Sequence, residues 1–187
     1  MRKFLFSLLF AFIGVAAAAQ NDFTLPENWK FDQKEDYAKY EEYIVPAINW
    51  FLDTPADRQD DKRQHTADFV LEWSMGCPYV HIVMYGDILT FAQSSRWGVL
   101  VFIMGYNKQA LLFNKYTDKV NGTPVANEPR EYILDGNVAG IEAVVDYYTR
   151  NRALMQKDEN IEKYITLKKK GKLESYVESK IPKNIKK

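Results

Sequence analysis

Cysteine is almost absent from this sequence, in which Cys77 is the only one among 187 residues. A single cysteine cannot form a disulfide within its own chain, so packing alone must stabilise the fold. A chain of this size buries about 70% of the surface that its unfolded form exposes, which suffices for a core without disulfides or metals. We therefore predict that Cys77 is a small buried hydrophobic residue, with an exposed thiol or a bond to another chain as the alternatives.

An excess of charge is also missing. The chain has 25 basic and 25 acidic residues, and loss of the two basic residues near its start, described below, would leave a formal charge of −2. Proteins that bind nucleic acids usually carry a basic excess, so we predict no nucleic-acid partner. The lysine-rich stretches 168–170 and 183–187 are typical of solvated helix faces and tails.

The motifs that mark common enzyme classes are lacking. The sequence contains no Gly-x-Ser-x-Gly turn, no His-Glu-x-x-His, no phosphate-binding glycine loop and no dinucleotide-binding fingerprint. We therefore predict no catalytic residue and no cofactor, and we favour a protein that is not an enzyme.

Long apolar runs are few, and the longest lies at the N-terminus. Two basic residues precede an uncharged stretch, 4–19, that ends in four alanines before Gln20. A positive start, an apolar stretch and small residues at Ala17 and Ala19 are the features of a cleavable export signal. The stretch is shorter than the roughly 20 residues that span a membrane. We predict cleavage between Ala19 and Gln20, and a mature chain in the periplasm or extracellular space without a membrane span.

The rest of the chain has the hydrophobic spacing of α-helices. Apolar residues recur every three or four positions in several stretches, separated by short segments with proline and glycine. We predict a mainly α, single-domain multi-helix bundle of five to seven helices, with at most one short extended segment near 79–85. The predicted organisation is a signal peptide over 1–19, an irregular lead-in over 20–33, a helical domain over 34–181 and a basic C-terminal tail over 182–187.

Prolines and glycines predict where these helices end or approach one another. Pro46 predicts a kink or a division into two short helices. The pair Thr54-Pro55 predicts the end of that segment and a start for the next helix. Gly76, with proline two residues later, predicts the end of the second helix. Two glycine pairs, at 98 and 105 and at 136 and 140, each lie on one helical face and predict close helix packing.

Two histidines and the cysteine are the candidates for metal binding or acid–base chemistry. His65 lies one helical turn from Asp68 on a polar stripe, and Cys77 lies four residues before His81. A structural zinc site needs four ligands, and neither pair supplies them. We therefore predict no bound metal, a solvent-exposed stripe and a buried thiol, and retain the four residues as candidates only.

Aromatic residues are plentiful, with 12 tyrosines and four tryptophans. Tyrosine and tryptophan dominate binding hot spots because they combine a large apolar area with a polar group. Four of them fall near the predicted centre of the fold, and we predict that they contact a ligand or partner, although a role in the core is the alternative: Tyr79, Tyr85, Trp97 and Tyr106.

One group of proteins is similar in pattern. The segment 50–55 (Trp-Phe-Leu-Asp-Thr-Pro), then Arg63, then 69–73 (Phe-Val-Leu-Glu-Trp) before Gly76-x-Pro78, resembles small secreted, mainly helical proteins of the bacterial envelope. The resemblance implies an envelope location and a helical fold. It assigns no functional residue, because no activity is established for that group.

Together these features favour an exported accessory protein that binds a protein partner or an apolar small ligand through its aromatic residues. Two alternatives remain open. One is an enzyme of unrecognised class that uses His81 or His65, which would need a carboxylate beside the imidazole in a cleft. The other is a structural protein that self-associates through the glycine faces at 98 and 105 or at 136 and 140.

Overall fold

The computed structural model describes residues 23–113 and 129–183, together with a short backbone pair at 117–118 and 123–124. In this part of the chain the fold is mainly helical, as predicted. Six α-helices are present: α1 (Lys34–Asp53), α2 (Asp61–Gly76), α3 (Arg96–Leu112), α4 (Arg130–Arg150), α5 (Glu159–Lys169) and α6 (Leu173–Lys180). A single 3-10 turn, Arg152–Leu154, follows α4, and the strands β1 (Thr117–Asp118) and β2 (Thr123–Pro124) pair antiparallel.

Helix α1 is one continuous element of 20 residues with Pro46 inside it. The expectation of two short helices is therefore wrong. At its start, the Asp36 carboxylate accepts a hydrogen bond from the backbone N–H of Gln33 at 2.9 Å, which satisfies one of the free donors of the first turn. Pro46 is exposed, so the carbonyl that it leaves without an intrahelical partner lies on the solvent side.

Helix α1 ends at Asp53, directly before the Thr54-Pro55 pair, as predicted. That pair does not start the next helix, however. Residues 54–60 form a turn, and α2 begins only after Asp60, whose side chain accepts from the backbone N–H of Arg63 at 2.9 Å. An aspartate at this position is a better helix start than Thr54 because it satisfies an N-terminal donor.

Helices α3 and α4 form the most closely packed pair, and glycines make this possible. A Cβ atom at Gly105 would lie 2.7 Å from the carbonyl oxygen of Ala139 and 3.1 Å from the Cα of Gly140. Gly136 lies against the ring of Tyr106. The predicted close packing at these glycines is confirmed within the chain. Gly98 differs, since it contacts the Phe91 ring instead of another helix.

The segment between α2 and α3 is irregular, and no strand forms at 79–85. The prediction of at most one short extended segment there is confirmed, since 80–85 lacks helix and turn and packs against helices. Side chains of α4 and α5 hold its backbone by donating to three carbonyl oxygens: Tyr132 to His81 at 3.0 Å, Asn137 to Val83 at 2.9 Å and Tyr164 to Ile88 at 2.6 Å. These donors fix the path of the segment where a regular ladder is missing.

The C-terminal helices complete one continuous core. Helix α5 ends at Lys169, and Gly171 adopts a left-handed conformation, with φ of 63°, that glycine accommodates without strain. Helix α6 then packs on α4, and the Arg130 guanidinium donates to the carbonyl oxygens of Glu178 and Pro182 at 3.1 and 2.7 Å. One cluster of buried apolar residues draws on all six helices.

Three expectations lie wholly or partly outside the described residues. They concern the export signal over 1–19 with its cleavage site between Ala19 and Gln20, the beginning of the lead-in at 20–22, and residues 184–187 of the basic tail. Among the helices that the structure describes, none combines the length and the apolarity needed to cross a bilayer.

Candidate functional site

A cleft of about 670 Å³ opens between three parts of the chain. The turn before α2 and the first half of that helix form one wall. The start of α3 forms the second wall, and residues 154–158 form the third. Its volume lies within the range of about 300–1,000 Å³ that is usual for small-molecule sites.

Arg63, on α2, is the basic group most firmly held in the cleft. The central carbon of its guanidinium lies 4.0 Å from the centre of the Phe51 ring, so the aromatic face stabilises the cation. The same group donates a hydrogen bond to the hydroxyl of Tyr147, on α4. Two carbonyl oxygens in the turn after α1 lie 3.5 Å from it. Three elements therefore fix the position of this charge.

Aromatic rings form the wall beside Arg63. Trp97, in the first turn of α3, is half-buried and lines the cleft. Its ring centre lies 5.5 Å from that of Tyr147, and it stacks nearly parallel to Tyr148 at 6.4 Å. Leu100, about one turn further along α3, extends the apolar surface. Such packed aromatic pairs give a stiff wall, because each ring limits the rotation of its neighbours.

Asp158 belongs to the wall formed by residues 154–158 and caps α5. One carboxylate oxygen accepts from the backbone N–H groups of Asn160 and Ile161 at 2.9 and 3.2 Å. The other accepts from the hydroxyls of Ser94 and Ser95 at 2.5 and 2.9 Å. Burial opposes ionisation of this group, but the four hydrogen bonds outweigh it and hold the pKa of Asp158 below its ordinary value. Asp158 is therefore a fully hydrogen-bonded carboxylate at neutral pH.

Three helices begin at the cleft, and two of them, α2 and α5, each start with an aspartate. Asp60 caps α2 as Asp158 caps α5. The hydrogen bond from Arg58 and that from the Arg63 backbone lower the pKa of Asp60, so it is also ionised at neutral pH. The partial positive charge at each of these two helix N-termini is thus already compensated by a carboxylate of the chain.

The four aromatic residues predicted to contact a ligand do not share one surface. Tyr79 and Tyr106 are core residues with 1% and 0% of their surface exposed, Tyr85 is half-buried, and only Trp97 lines the cleft. Trp97 and Tyr106 lie on the same helix but two and a half turns apart, which places them on opposite sides of it. Closeness in sequence was therefore a poor guide to a shared surface.

The candidate metal ligands are dispersed. His65 is exposed, with its ring 6.5 Å from that of Trp29, and Asp68 accepts from the side-chain amide of Gln64 at 2.8 Å. Burial raises the pKa of the Cys77 thiol to about 12, and His81 is exposed. Within 23–113 and 129–183, no three His, Cys, Asp or Glu side chains are placed to hold a metal ion together.

Both histidines lie away from the cleft, because neither is among the residues that line it. Sequence reasoning singled out neither Asp158 nor, beyond its place in the resemblance, Arg63 as a site residue. Asp158 precedes a helical pattern and could have been identified as a cap. Nothing local to the sequence shows that its second oxygen reaches two serines more than 60 residues away.

A second, smaller cavity of about 290 Å³ lies between α1, α3 and α4. Both basic side chains in its lining already have partners there: Lys108 donates to Asn49 at 2.8 Å, and Arg150 pairs with Asp53 at 2.7 Å. The larger cleft is therefore the better candidate for a ligand site. Comparisons with protein-family models, curated proteins and solved structures find no match to this chain.

Proposed function

We propose that the chain is an exported binding protein that holds a small ligand in the cleft beside Arg63, Trp97 and Asp158. The observation that carries this proposal is the cleft itself, which has the volume of a ligand site and walls already fixed by internal contacts. Preformed walls favour binding because little conformational entropy is lost when the ligand enters.

Docking of a protein partner on an aromatic or apolar patch has less support. Four large hydrophobic residues are exposed in the described part of the chain, and each lies on a different segment: Met75, Met84, Leu112 and Leu154. Partner surfaces are usually contiguous apolar patches. Leu154 lies at the cleft, which again favours a ligand held there.

Catalysis by a histidine also has less support than binding. The enzyme alternative requires His65 or His81 beside a carboxylate in a cleft, whereas both are outside this one. Ser94 and Ser95 donate directly to Asp158 without an imidazole between them. A carboxylate with a lowered pKa is a poor proton acceptor for a hydroxyl, so these serines are not activated as nucleophiles.

Self-association through the glycine faces has little support, because these faces are already covered within the chain. Gly105 and Gly140 face each other across α3 and α4, and Gly98 and Gly136 are covered by rings of the same chain. A second copy would have to displace these contacts.

The export part of the proposal rests on the features of residues 1–19. Expression of the full chain in its own host, followed by separation of envelope and cytoplasm, tests it. The expected product is an envelope or extracellular protein whose denatured mass corresponds to a chain that begins at Gln20. Full-length protein in the cytoplasm would contradict export.

Native mass spectrometry of the protein recovered from that host tests ligand binding. Two variants place a bulky ring on neighbouring exposed positions: Gln59→Tyr at the cleft, and Asp57→Tyr, which is not in its lining. We expect an added mass that leaves on denaturation in the wild type and in Asp57→Tyr, but not in Gln59→Tyr. Two results would contradict a ligand held in the cleft: no added mass in any of the three proteins, or an added mass that is still present in Gln59→Tyr.

A further inference from the structure

Apart from the exposed Asp61, the fixed charges of the cleft are already paired within the chain. Lys157 lies 2.7 Å from Glu159, and Arg63 is held by an aromatic face and the Tyr147 hydroxyl. Each oxygen of Asp158 accepts two hydrogen bonds. A charged ligand would have to compete with these partners for the same groups, so the cleft favours a ligand without net charge.

An anionic ligand meets a further obstacle. Two of the three helices that begin at the cleft, α2 and α5, are capped by ionised aspartates, Asp60 and Asp158, at the positions where an anion would bind a helix N-terminus. At the start of the third, α3, the Ser95 hydroxyl already donates to Asp158. Asp61 adds a third carboxylate to the lining. A phosphate or carboxylate group would therefore be repelled where helix dipoles would otherwise attract it.

The polar groups that remain for a ligand are of both hydrogen-bonding kinds. Three amide side chains line the cleft, Gln59, Gln64 and Gln156. Each amide carries two donor hydrogens and a carbonyl acceptor, and the internal bonds of Gln59 and Gln64 use only their nitrogen. Hydroxyl groups on a ligand satisfy donors and acceptors alike, because a hydroxyl donates one hydrogen bond and accepts others.

An apolar strip runs beside these amides. Trp97, Leu100 and Met155 all line the cleft, and Trp97 is stiffened by its stack on Tyr148. The ligand therefore needs a compact apolar face next to a rim of hydrogen-bonding groups. A hydrocarbon chain would offer no hydrogen-bonding group to these amides.

From this combination we infer that the cleft binds a neutral sugar of one or two rings, with its C–H face on Trp97 and its hydroxyls on the glutamine amides. The inference rests on the proposed function, since it assigns a chemical class to the ligand of the same cleft. The wall formed by Asp158 and the serines then sets the depth to which a ring can enter.

Fluorine NMR of the protein labelled with 5-fluorotryptophan provides the test. The chain has four tryptophans, so four resonances are expected, and the one missing in Trp97→Phe belongs to Trp97. The probes are glucose, galactose, N-acetylglucosamine, maltose and cellobiose, each titrated separately. Putrescine, inorganic phosphate and adenine represent a cation, an anion and a flat aromatic ring.

We expect at least one sugar to move the Trp97 resonance in a saturable way while the other three resonances stay in place. Gln59→Tyr should raise the dissociation constant of this sugar by about tenfold or more, and Asp57→Tyr should leave it unchanged. A panel in which no sugar moves the Trp97 resonance would overturn the inference. So would tighter binding of putrescine, phosphate or adenine than of any sugar.

The two proposals fail in different ways. If a ligand of another class moves the Trp97 resonance and Gln59→Tyr abolishes that response, the sugar inference is wrong and the binding function stands. If no probe moves the resonance and the native mass spectra show no ligand that depends on Gln59, both are wrong.

Discussion

Asp158 shows how one side chain can contribute both to a helix and to the wall of a cleft. With one oxygen it starts α5, and with the other it holds Ser94 and Ser95 at the entry to α3. The shape of the cleft therefore depends on the ionisation of this group. Its pKa lies below its ordinary value of 3.8, so the charged form is the one that the fold prefers.

Replacement of Asp158 by asparagine should destabilise the protein more at neutral pH than in acid. Asparagine still caps a helix through its one carbonyl oxygen, but its NH2 group cannot accept from the Ser94 and Ser95 hydroxyls. We expect a loss of about 1–2 kcal/mol at pH 7. A lowered pKa contributes stability above the ordinary value, and this contribution disappears as the pH falls through the lowered one. Urea unfolding at pH 7 and pH 3 should therefore show a large difference between the two proteins that shrinks in acid.

Asp53→Asn is the matched control, because Asp53 forms an exposed ion pair with Arg150. Exposed pairs contribute roughly 0–1 kcal/mol, so this variant should differ little from the wild type at either pH. An Asp158→Asn variant as stable as Asp53→Asn at pH 7 would show that the four hydrogen bonds are not stabilising.

Cys77 is predicted to be inert in the folded protein. Its side chain is buried, and burial raises the pKa of the thiol to about 12, so almost no thiolate is present at pH 8. Iodoacetamide should leave the native protein unmodified, as read by intact mass, and alkylate it once in guanidinium chloride. Rapid alkylation of the native protein, or a disulfide-linked dimer on a non-reducing gel, would disagree with this.

Single residues were the hardest features to predict from the sequence. The buried thiol agrees with the sequence-based prediction, and Trp97 does lie at the cleft. Tyr79 and Tyr106 entered the candidate set because tyrosine is common in binding hot spots and both lie near the centre of the sequence pattern, but aromatic residues also fill cores. Only the three-dimensional neighbours of a ring distinguish these two roles.

Among the helices, the contact between α3 and α4 depends most on small residues. Replacement of Gly105 by alanine would place a methyl group 2.7 Å from the carbonyl oxygen of Ala139, and a backbone atom cannot rotate away. Overpacking of this kind costs about 1–3 kcal/mol, and the better helix propensity of alanine offsets part of it. We expect a net loss of about 1–2 kcal/mol in chemical denaturation.

Gly86→Ala serves as the comparison for that variant. No atom lies within 4 Å of the position where its Cβ would stand, so the change should stay within about 0.5 kcal/mol of the wild type. Equal stability of the two variants would mean that α3 and α4 can separate without cost.

Helix ends were predicted better than helix continuity. Thr54-Pro55 and Gly76 lie where α1 and α2 end, because proline and glycine act on the local backbone. At Pro46 the sequence predicted either a kink or two short helices, and the second of these is wrong. Buried residues on both sides of it, Ile44 and Ala47 among them, pack on one core and hold the helix together across the missing hydrogen bond.

The described residues, 23–113 and 129–183, share one core, so we predict that this part of the chain unfolds as one unit. Buried residues from all six helices form a single cluster, and the last helix is tied to α4 through Arg130. Urea unfolding curves from far-ultraviolet circular dichroism and from tryptophan fluorescence should therefore superimpose. Separate transitions would indicate that α5 and α6 form an independent unit.

At this scale the sequence was most informative. Helical periodicity reports directly on which residues face a core, so the helical class and the range of five to seven helices follow from it. The cleft does not follow, because its walls come from residues near 60, 97 and 158 that only the packing of α2, α3 and α5 brings together. A preference for α-helix contains no information about which helix ends meet.

The segment between α2 and α3 has a consequence for how this sequence can change in evolution. Surface connections ordinarily accept inserted residues. Here the carbonyl groups of His81, Val83 and Ile88 accept hydrogen bonds from donors fixed on α4 and α5. One added residue would shift every carbonyl group that follows it by about 3.3 Å. Every amino acid carries a carbonyl, so substitutions leave these bonds intact. Related chains should therefore conserve the length of this segment more strictly than its residues.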